Sequence, residues 1–169
     1  MFISYKLGTG EILSMCLLSN ITETQEIKKK ILEQSIRCCC ITPSLVVDPF
    51  QIVVAADKAC LAQSRNKLIT RNINTELLYN LSVSKHISKS LTKFGMQEND
   101  TNALIAIIGS EEDLKAEISK INGSLTNLEK LDTLVDMKAV KKEYNIAEKE
   151  LEKSSLTDSV ITRIATKNL

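Results

Sequence analysis

The chain has 169 residues, 43% hydrophobic and 25% charged, with a formal net charge of +1 at neutral pH. That length suits one domain spanning 1–169 with a real buried core, and so small a net charge excludes a global electrostatic pull toward nucleic acid or membrane. No apolar run reaches the roughly 20 residues that span a bilayer, and the first residues, Met1 to Lys6, lack the basic start and apolar core of a signal peptide.

Residues 1–7 and 11–20 read as two strands joined around Gly8-Thr9-Gly10, where glycine suits a hairpin turn. The second strand carries apolar residues on both faces, which places it inside a sheet. Thr22 or Thr24 then stands where a cap would start a helix ending near Ser35. Its apolar stripe is Ile27, Ile31 and Leu32, with Lys28-Lys29-Lys30 mostly outward. Residues 36–47, with Pro43, form a short extended piece or turn. Asp48-Pro49-Phe50-Gln51 is a compact helix start. Asp48 accepts from a free first-turn amide, Pro49 needs no amide partner, and Gln51 stands where a capping-box side chain reaches back to the cap residue. The apolar run Ile52 to Ala56 predicts a buried central helix near 49–64.

Residues 67–73 predict a short strand, and Asn74 or Thr75 the cap of a two-turn helix through Leu81. A further helix starts at Ser84 and ends at Gly95 as a left-handed cap. Ala103 to Ile108 is the clearest strand, and Glu111-Glu112-Asp113 follow as acids at the positive end of a helix. Helical segments complete the chain near 136–144 and 156–166. The class predicted is α/β: a mixed sheet of about four or five strands covered by helices.

Catalytic signatures are missing. The five glycines form neither a P-loop nor a dinucleotide-binding fingerprint. Cys16, Cys38, Cys39, Cys40 and Cys60 are odd in number and lack an export signal, which points to a reducing compartment. No CxxC pair or neighbouring His lets them converge on a metal, so they read as small apolar filling with one or two exposed thiols. The sole histidine, His86, lies near a helix start and reads as solvent-facing. A Cys–His nucleophile pair remains formally open, as does a metabolite-binding regulatory domain.

Charge is segregated along the chain. From Asp57 to Phe94 seven bases face two acids, whereas residues 98–158 hold 14 acids and eight bases. Lys85, Lys89 and Lys93 recur every four residues along one helix face. Such a face is either a solvated surface or a binding surface.

Three blocks in order carry a resemblance: Asp48 to Ala59; Thr70-Arg71 with Thr75 to Ser82; and Ile87-Ser88 to Lys93-Phe94-Gly95. The sequence resembles the TPRKB family, the small accessory, kinase-binding subunit of the KEOPS (EKC) complex. The match is densest over residues 42–109. The resemblance implies a non-catalytic subunit without a cofactor that supports threonylcarbamoyladenosine modification of tRNA in cytoplasm and nucleus. It implies a PRPK-type kinase-like ATPase as partner, and recruitment of tRNA by its 3′ CCA end. The region it points to for RNA contains Lys58, Arg65, Lys67, Arg71, Asn72, Lys85, His86, Ile87, Lys89 and Lys93. With no Trp and few aromatics, a multi-aromatic stacking platform is not expected. Leu156, Val160 and Ile164, with Arg163 and Lys167 beside them, form a C-terminal stripe that either meets a partner or RNA, or docks on the protein's own fold.

Overall fold

Leu13 and Met15 point to one side of the sheet, and Cys16 and Leu18 to the other; all four are buried. That alternation explains why this strand carries apolar residues on both sides: each face of the sheet has its own core. The computed structural model describes residues 1–169 as five strands and nine helices. β1 (Ile3–Lys6) and β2 (Ile12–Ser19) form the expected hairpin, with Gly10 at φ 101°. β3 (Cys39–Ile41), β4 (Ala103–Ile108) and β5 (Ser124–Thr126) complete the sheet. The order is β1-β2-β4-β3; β1 and β5 share one flank of β2, opposite Ile12–Met15 and Leu17–Ser19 respectively.

The α/β class and strand number agree with the sequence reading, but every pairing is antiparallel, so the sheet is not mixed. The long connection from β3 to β4 returns the chain to the end of the sheet where β3 finished, pairing Ile41 with Leu104. A parallel partner would need the chain carried across to the other end.

One face of the sheet packs against α2 (Phe50–Ser64), α3 (Ile73–Leu81), α7 (Met137–Glu143) and α9 (Leu156–Thr166). The other packs against α1 (Thr24–Leu32) and α5 (Glu111–Ile118) through Ile27 and Leu114. α4 (Ile87–Phe94) and two single-turn helices, α6 (Leu131–Leu134) and α8 (Glu148–Leu151), complete the set. No helix is long and apolar enough to cross a membrane.

α2 is central as predicted, with Ile52, Ala55, Ala56 and Ala59 fully buried between α3, α9 and the sheet. Asp48 Oδ1 accepts from the Phe50 amide at 2.8 Å. Gln51 reaches one residue further back than a capping box requires: its Oε1 accepts from Val47 N at 3.0 Å. Its Nε2 donates to Leu45 O at 3.0 Å and to Tyr144 Oη at 2.8 Å, so Gln51 ties three segments together inside the core.

Other expectations are corrected by tertiary contacts. Neither Thr22 nor Thr24 caps α1: Thr22 Oγ1 accepts from Asn122, Thr24 Oγ1 donates to Glu98 O, and Glu23 enters the helix at φ 59°. Leu32 is 84% exposed, outside the α1 stripe. Residues 67–73 are not a strand, since their amides at Ile69 and Thr70 turn inward to the Glu76 carboxylate instead of a neighbouring strand. The α3 cap is Asn72, in a reciprocal capping box with Thr75. α4 begins at Ile87 rather than Ser84, with His86 at its cap. All five cysteines are buried, none exposed.

Gly95 is not a left-handed cap. It is extended, at φ −66° and ψ 158°, and bridges to Ile41 at the edge of the sheet. A Cβ there would meet Leu91 O at 2.7 Å. Gly95→Ala is therefore expected to lower stability by about 1–3 kcal/mol, the usual cost of overpacking, measured by urea unfolding.

Candidate nucleic-acid interface

The free flank of β3 faces a groove of about 730 Å³. Its volume lies within the roughly 300–1,000 Å³ of small-ligand sites. α1 supplies Lys28 and Ile31, the β3 strand Arg37 to Cys40, the α3 start Arg71 to Thr75, and α4 Leu91 and Thr92. No acidic side chain lines it. Lys28, Arg37 and Arg71 have no carboxylate within ion-pair distance. The Arg37 backbone amide donates to Glu117 Oε2 at 2.7 Å, and its guanidinium donates only through Nε, to Gln34 O at 3.2 Å, which leaves the planar terminal fork free.

The groove walls are held from below. Glu76 is buried, and its carboxylate accepts from Ile69 N, from Thr70 N at 2.8 Å and from Thr70 Oγ1 at 2.7 Å. This folds the loop 66–72 back onto α3. The Asn72–Thr75 box then fixes the next turn, with Thr75 N donating to Asn72 Oδ1 at 3.0 Å. Arg71 is thereby presented on a rigid corner. Cys39 Sγ donates to Asn74 O at 3.2 Å and joins β3 to α3 across the groove floor. On the far wall, Gln97 Nε2 donates to Thr92 O at 2.8 Å and Gly95 O at 2.7 Å, closing the C-terminal end of α4.

A shallower depression of about 340 Å³ lies on the outer face of α4, lined by Ser88, Lys89, Thr92, Lys93 and Gln97. Thr92 and Gln97 line both hollows, so the two adjoin. Together they form a basic track from Lys89 and Lys93 into the groove. Lys93 also lies 3.7 Å from Glu143, its own side chain half exposed, so the pair contributes little.

The structure therefore separates the sequence candidates. Arg71 and Asn72 lie in the groove and Lys89 and Lys93 beside it. Lys85, His86 and Ile87 are exposed at the α4 start, outside both hollows. Arg65 and Lys67 are exposed at the end of α2, likewise outside. Lys58 is engaged elsewhere: its Nζ donates to Ile164 O and Lys167 O, each at 2.8 Å, and to Ala165 O at 3.2 Å, closing the end of α9. It is a helix-capping cation, not a free phosphate donor. Lys28, Arg37, Asn74, Thr75 and Gln97 were missed. They come from segments far apart in sequence, and only Lys28, within its lysine run, carried any local signal.

The C-terminal stripe faces inward. Val160 and Ile164 are fully buried against the main core, with Leu156 half-buried beside them. Lys167 is buried too, donating to Tyr79 O and lying over the Tyr79 ring. Burial, with Lys58 nearby, pulls its ammonium down to about 8. Arg163 makes a two-pronged pair with Glu150, 2.7 Å on each prong. These residues dock α9 on its own fold.

That Arg163 fork pulls the Glu150 carboxyl to about 2 from an ordinary 4.5. A depressed carboxyl stabilises the fold above its ordinary value, and the contribution is lost as pH falls toward 2. The α8–α9 segment is therefore expected to loosen between those two values, measured by hydrogen exchange. Glu150→Gln should remove that pH dependence.

The thiols are poor nucleophiles. Burial pushes Cys16 up to about 12 and Cys60 to about 11. The Cys38 thiol is raised by its hydrogen bond to Cys40 and by burial, and Cys39 by burial. An activated cysteine needs the reverse shift.

An antiparallel five-stranded sheet, helix-covered on both faces, with an acid-free groove beside a short edge strand, is the architecture that carries this site. The chain belongs to the family described as kinase binding protein CGI-121, which matches residues 18–168. It is 32% identical to the EKC/KEOPS complex subunit TPRKB of Danio rerio over 156 residues, covering 90% of this chain and 89% of that one. It is similar to EKC/KEOPS complex subunit CGI121 of Kluyveromyces lactis, 30% identical over 87 residues, covering 52% of this chain and 54% of that one. The same-named subunit of Debaryomyces hansenii is 27% identical over 143 residues, covering 75% and 73%.

Proposed function

We propose that this chain is a non-catalytic accessory subunit of a KEOPS-type assembly in cytoplasm and nucleus. It binds and modulates the assembly's kinase-like ATPase and helps bring tRNA in by its 3′ end, in support of threonylcarbamoyladenosine formation. It works as one domain and uses no cofactor of its own. The family match over residues 18–168 carries the partner part of this reading. The RNA part is supported by the acid-free groove and its unpaired cations, which suit the phosphates of an unpaired strand.

Co-expression with the kinase-like subunit of the same organism tests the partner. One co-eluting one-to-one species in size-exclusion chromatography supports it; two separate peaks at micromolar concentration overturn it. For RNA, the assembled complex is titrated with tRNA, intact or trimmed of its 3′ end, with and without this subunit. Equal binding in all cases overturns recruitment.

A further inference from the structure

β3 and the bend before it carry three consecutive cysteines, and their thiols do not point the same way. Cys39 turns to the α3 side, where its Sγ donates to Asn74 O at 3.2 Å and the residue joins the main core. Cys38 and Cys40 turn to the other side and pack in the core beneath α1 and α5. Residues two apart along an extended run share a face, so this is the alternation of a strand. The Cys38 and Cys40 thiols are hydrogen-bonded to each other. Both are free thiols that line the groove, the residues 2% and 4% exposed. The proposed function uses neither of them.

Two thiols so placed suit one kind of ligand. A disulfide needs Cβ atoms about 3.5–4.5 Å apart, whereas residues two apart on an extended strand are spaced by roughly 6.5 Å. A bridging ion needs less closure: thiolate–metal bonds of about 2.3 Å set two opposed sulfurs roughly 4.5 Å apart. Zinc is a poor match, because it takes four ligands in a tetrahedron. Cys39 is turned away, His86 lies outside the groove, and no three His, Cys, Asp or Glu side chains converge. Hard ions such as magnesium and calcium want oxygen ligands, and no carboxylate lines the groove. Copper(I) is soft, selects thiolates, and is satisfied by two of them in a line. Its binding is a proton exchange without electron transfer. Cu⁺ replaces the two S–H protons, which pass to solvent, and leaves a bis-thiolate of net charge −1. The charge of the ion deprotonates thiols that are otherwise protonated. The surroundings match an anion. Arg37, the residue before Cys38, lines the groove with its terminal fork free, and Lys28 and Arg71 line it unpaired. The Glu117 carboxylate near Cys38 is already engaged, by the Arg37 amide at 2.7 Å and by Lys120 at 2.8 Å.

We propose that Cys38 and Cys40 form a two-thiolate site for a single copper(I) ion, entered from the groove, with Arg37 balancing the charge of the complex. This goes beyond the accessory-subunit reading and does not depend on it. One ion ties the bend before β3 to the strand itself, so the loaded chain is more stable than the empty one.

The test uses the reduced full-length chain under nitrogen, with copper(I) supplied as its glutathione complex and bicinchoninate as the competing chelator. One equivalent per chain is expected to resist the chelator. Calorimetry in buffers of different ionisation heat should show two protons released per ion, and X-ray absorption two sulfur neighbours. Cys38→Ser and Cys40→Ser should each weaken binding more than about 100-fold, beyond the cost of losing an outer partner. Cys16→Ser, Cys39→Ser and Cys60→Ser should leave it intact. Arg37→Gln keeps both ligands and a fork that holds no other segment, so it tests the site in a chain that still folds. A loss of roughly ten-fold is expected, the usual effect of removing an outer partner. Copper(I) should raise Tm in the unaltered chain and not in Cys40→Ser. The site is overturned if all the copper passes to bicinchoninate, or if the Cys16 or Cys60 variant loses as much as the Cys38 variant. Nitrogen or oxygen neighbours in the absorption spectrum would overturn it too. If zinc(II) binds as tightly as copper(I), further ligands take part and the two-thiolate assignment fails. None of these outcomes bears on the kinase or tRNA readings.

Discussion

Tyr144→Ala is expected to cost about 3–5 kcal/mol of stability, the range for removing a large buried aromatic ring. In a chain of this size that corresponds to a fall in Tm of roughly 6–20 °C. Tyr144 is fully buried just after α7, and its ring meets Phe94 edge-on at 5.9 Å between centroids. Its hydroxyl donates to Leu81 O at 2.5 Å and accepts from Gln51 Nε2 at 2.8 Å. One side chain thus joins the start of α2, the end of α3 and the end of α4. The alanine variant leaves a cavity as well as an orphaned carbonyl and amide. Tyr144→Phe separates the two effects: it keeps the ring and should cost about 1–3 kcal/mol, the penalty for leaving buried partners unsatisfied. Thermal and urea unfolding of both variants would measure the difference. Equal losses would mean that the hydroxyl, not the ring volume, dominates.

Glu76→Ala is expected to cost about 1–3 kcal/mol, because it strips the part-buried amides of Ile69 and Thr70 and the Thr70 hydroxyl of a charged acceptor. Its second consequence is functional. Glu76 holds the loop that carries Arg71, so the variant should bind RNA more weakly although Glu76 does not line the groove. Amide hydrogen exchange should show lost protection at Ile69 and Thr70 while the β2–β4 ladder stays protected. If RNA affinity is unchanged while those two amides open, the loop does not position the groove cation.

Much of the secondary structure was legible because its causes are local. The Gly8-Thr9-Gly10 turn, the two-faced apolar β2, the run of α2, the Ser110-capped acids of α5 and the last two long helical segments follow from propensity, capping and periodicity. Errors clustered where a distant residue takes over a local group. Residues 67–73 look like a strand until Glu76 claims their amides. Gly95 looks like a helix cap until the sheet edge extends it against Ile41. The three-residue β5 has almost no periodic signal of its own and exists because the upper flank of β2 is left free by the short β1.

The site divides in the same way. The family and the local charge excess between Asp57 and Phe94 are readable from the chain, since both depend on residue identity and order alone. Where those charges go depends on packing between distant segments. Lys58 and Lys167 look like free cations in a row of residues, but packing α9 onto α2 turns one into a helix cap and buries the other over Tyr79. Lys28 and Arg37 come from outside the charged segment, brought to Arg71 because α1 and β3 flank the start of α3. The backbone amide and carbonyl left without partners at Cys38 have no sequence signature, because every residue but proline carries the same two groups. Only the order of the strands decides which of them are left without a neighbour.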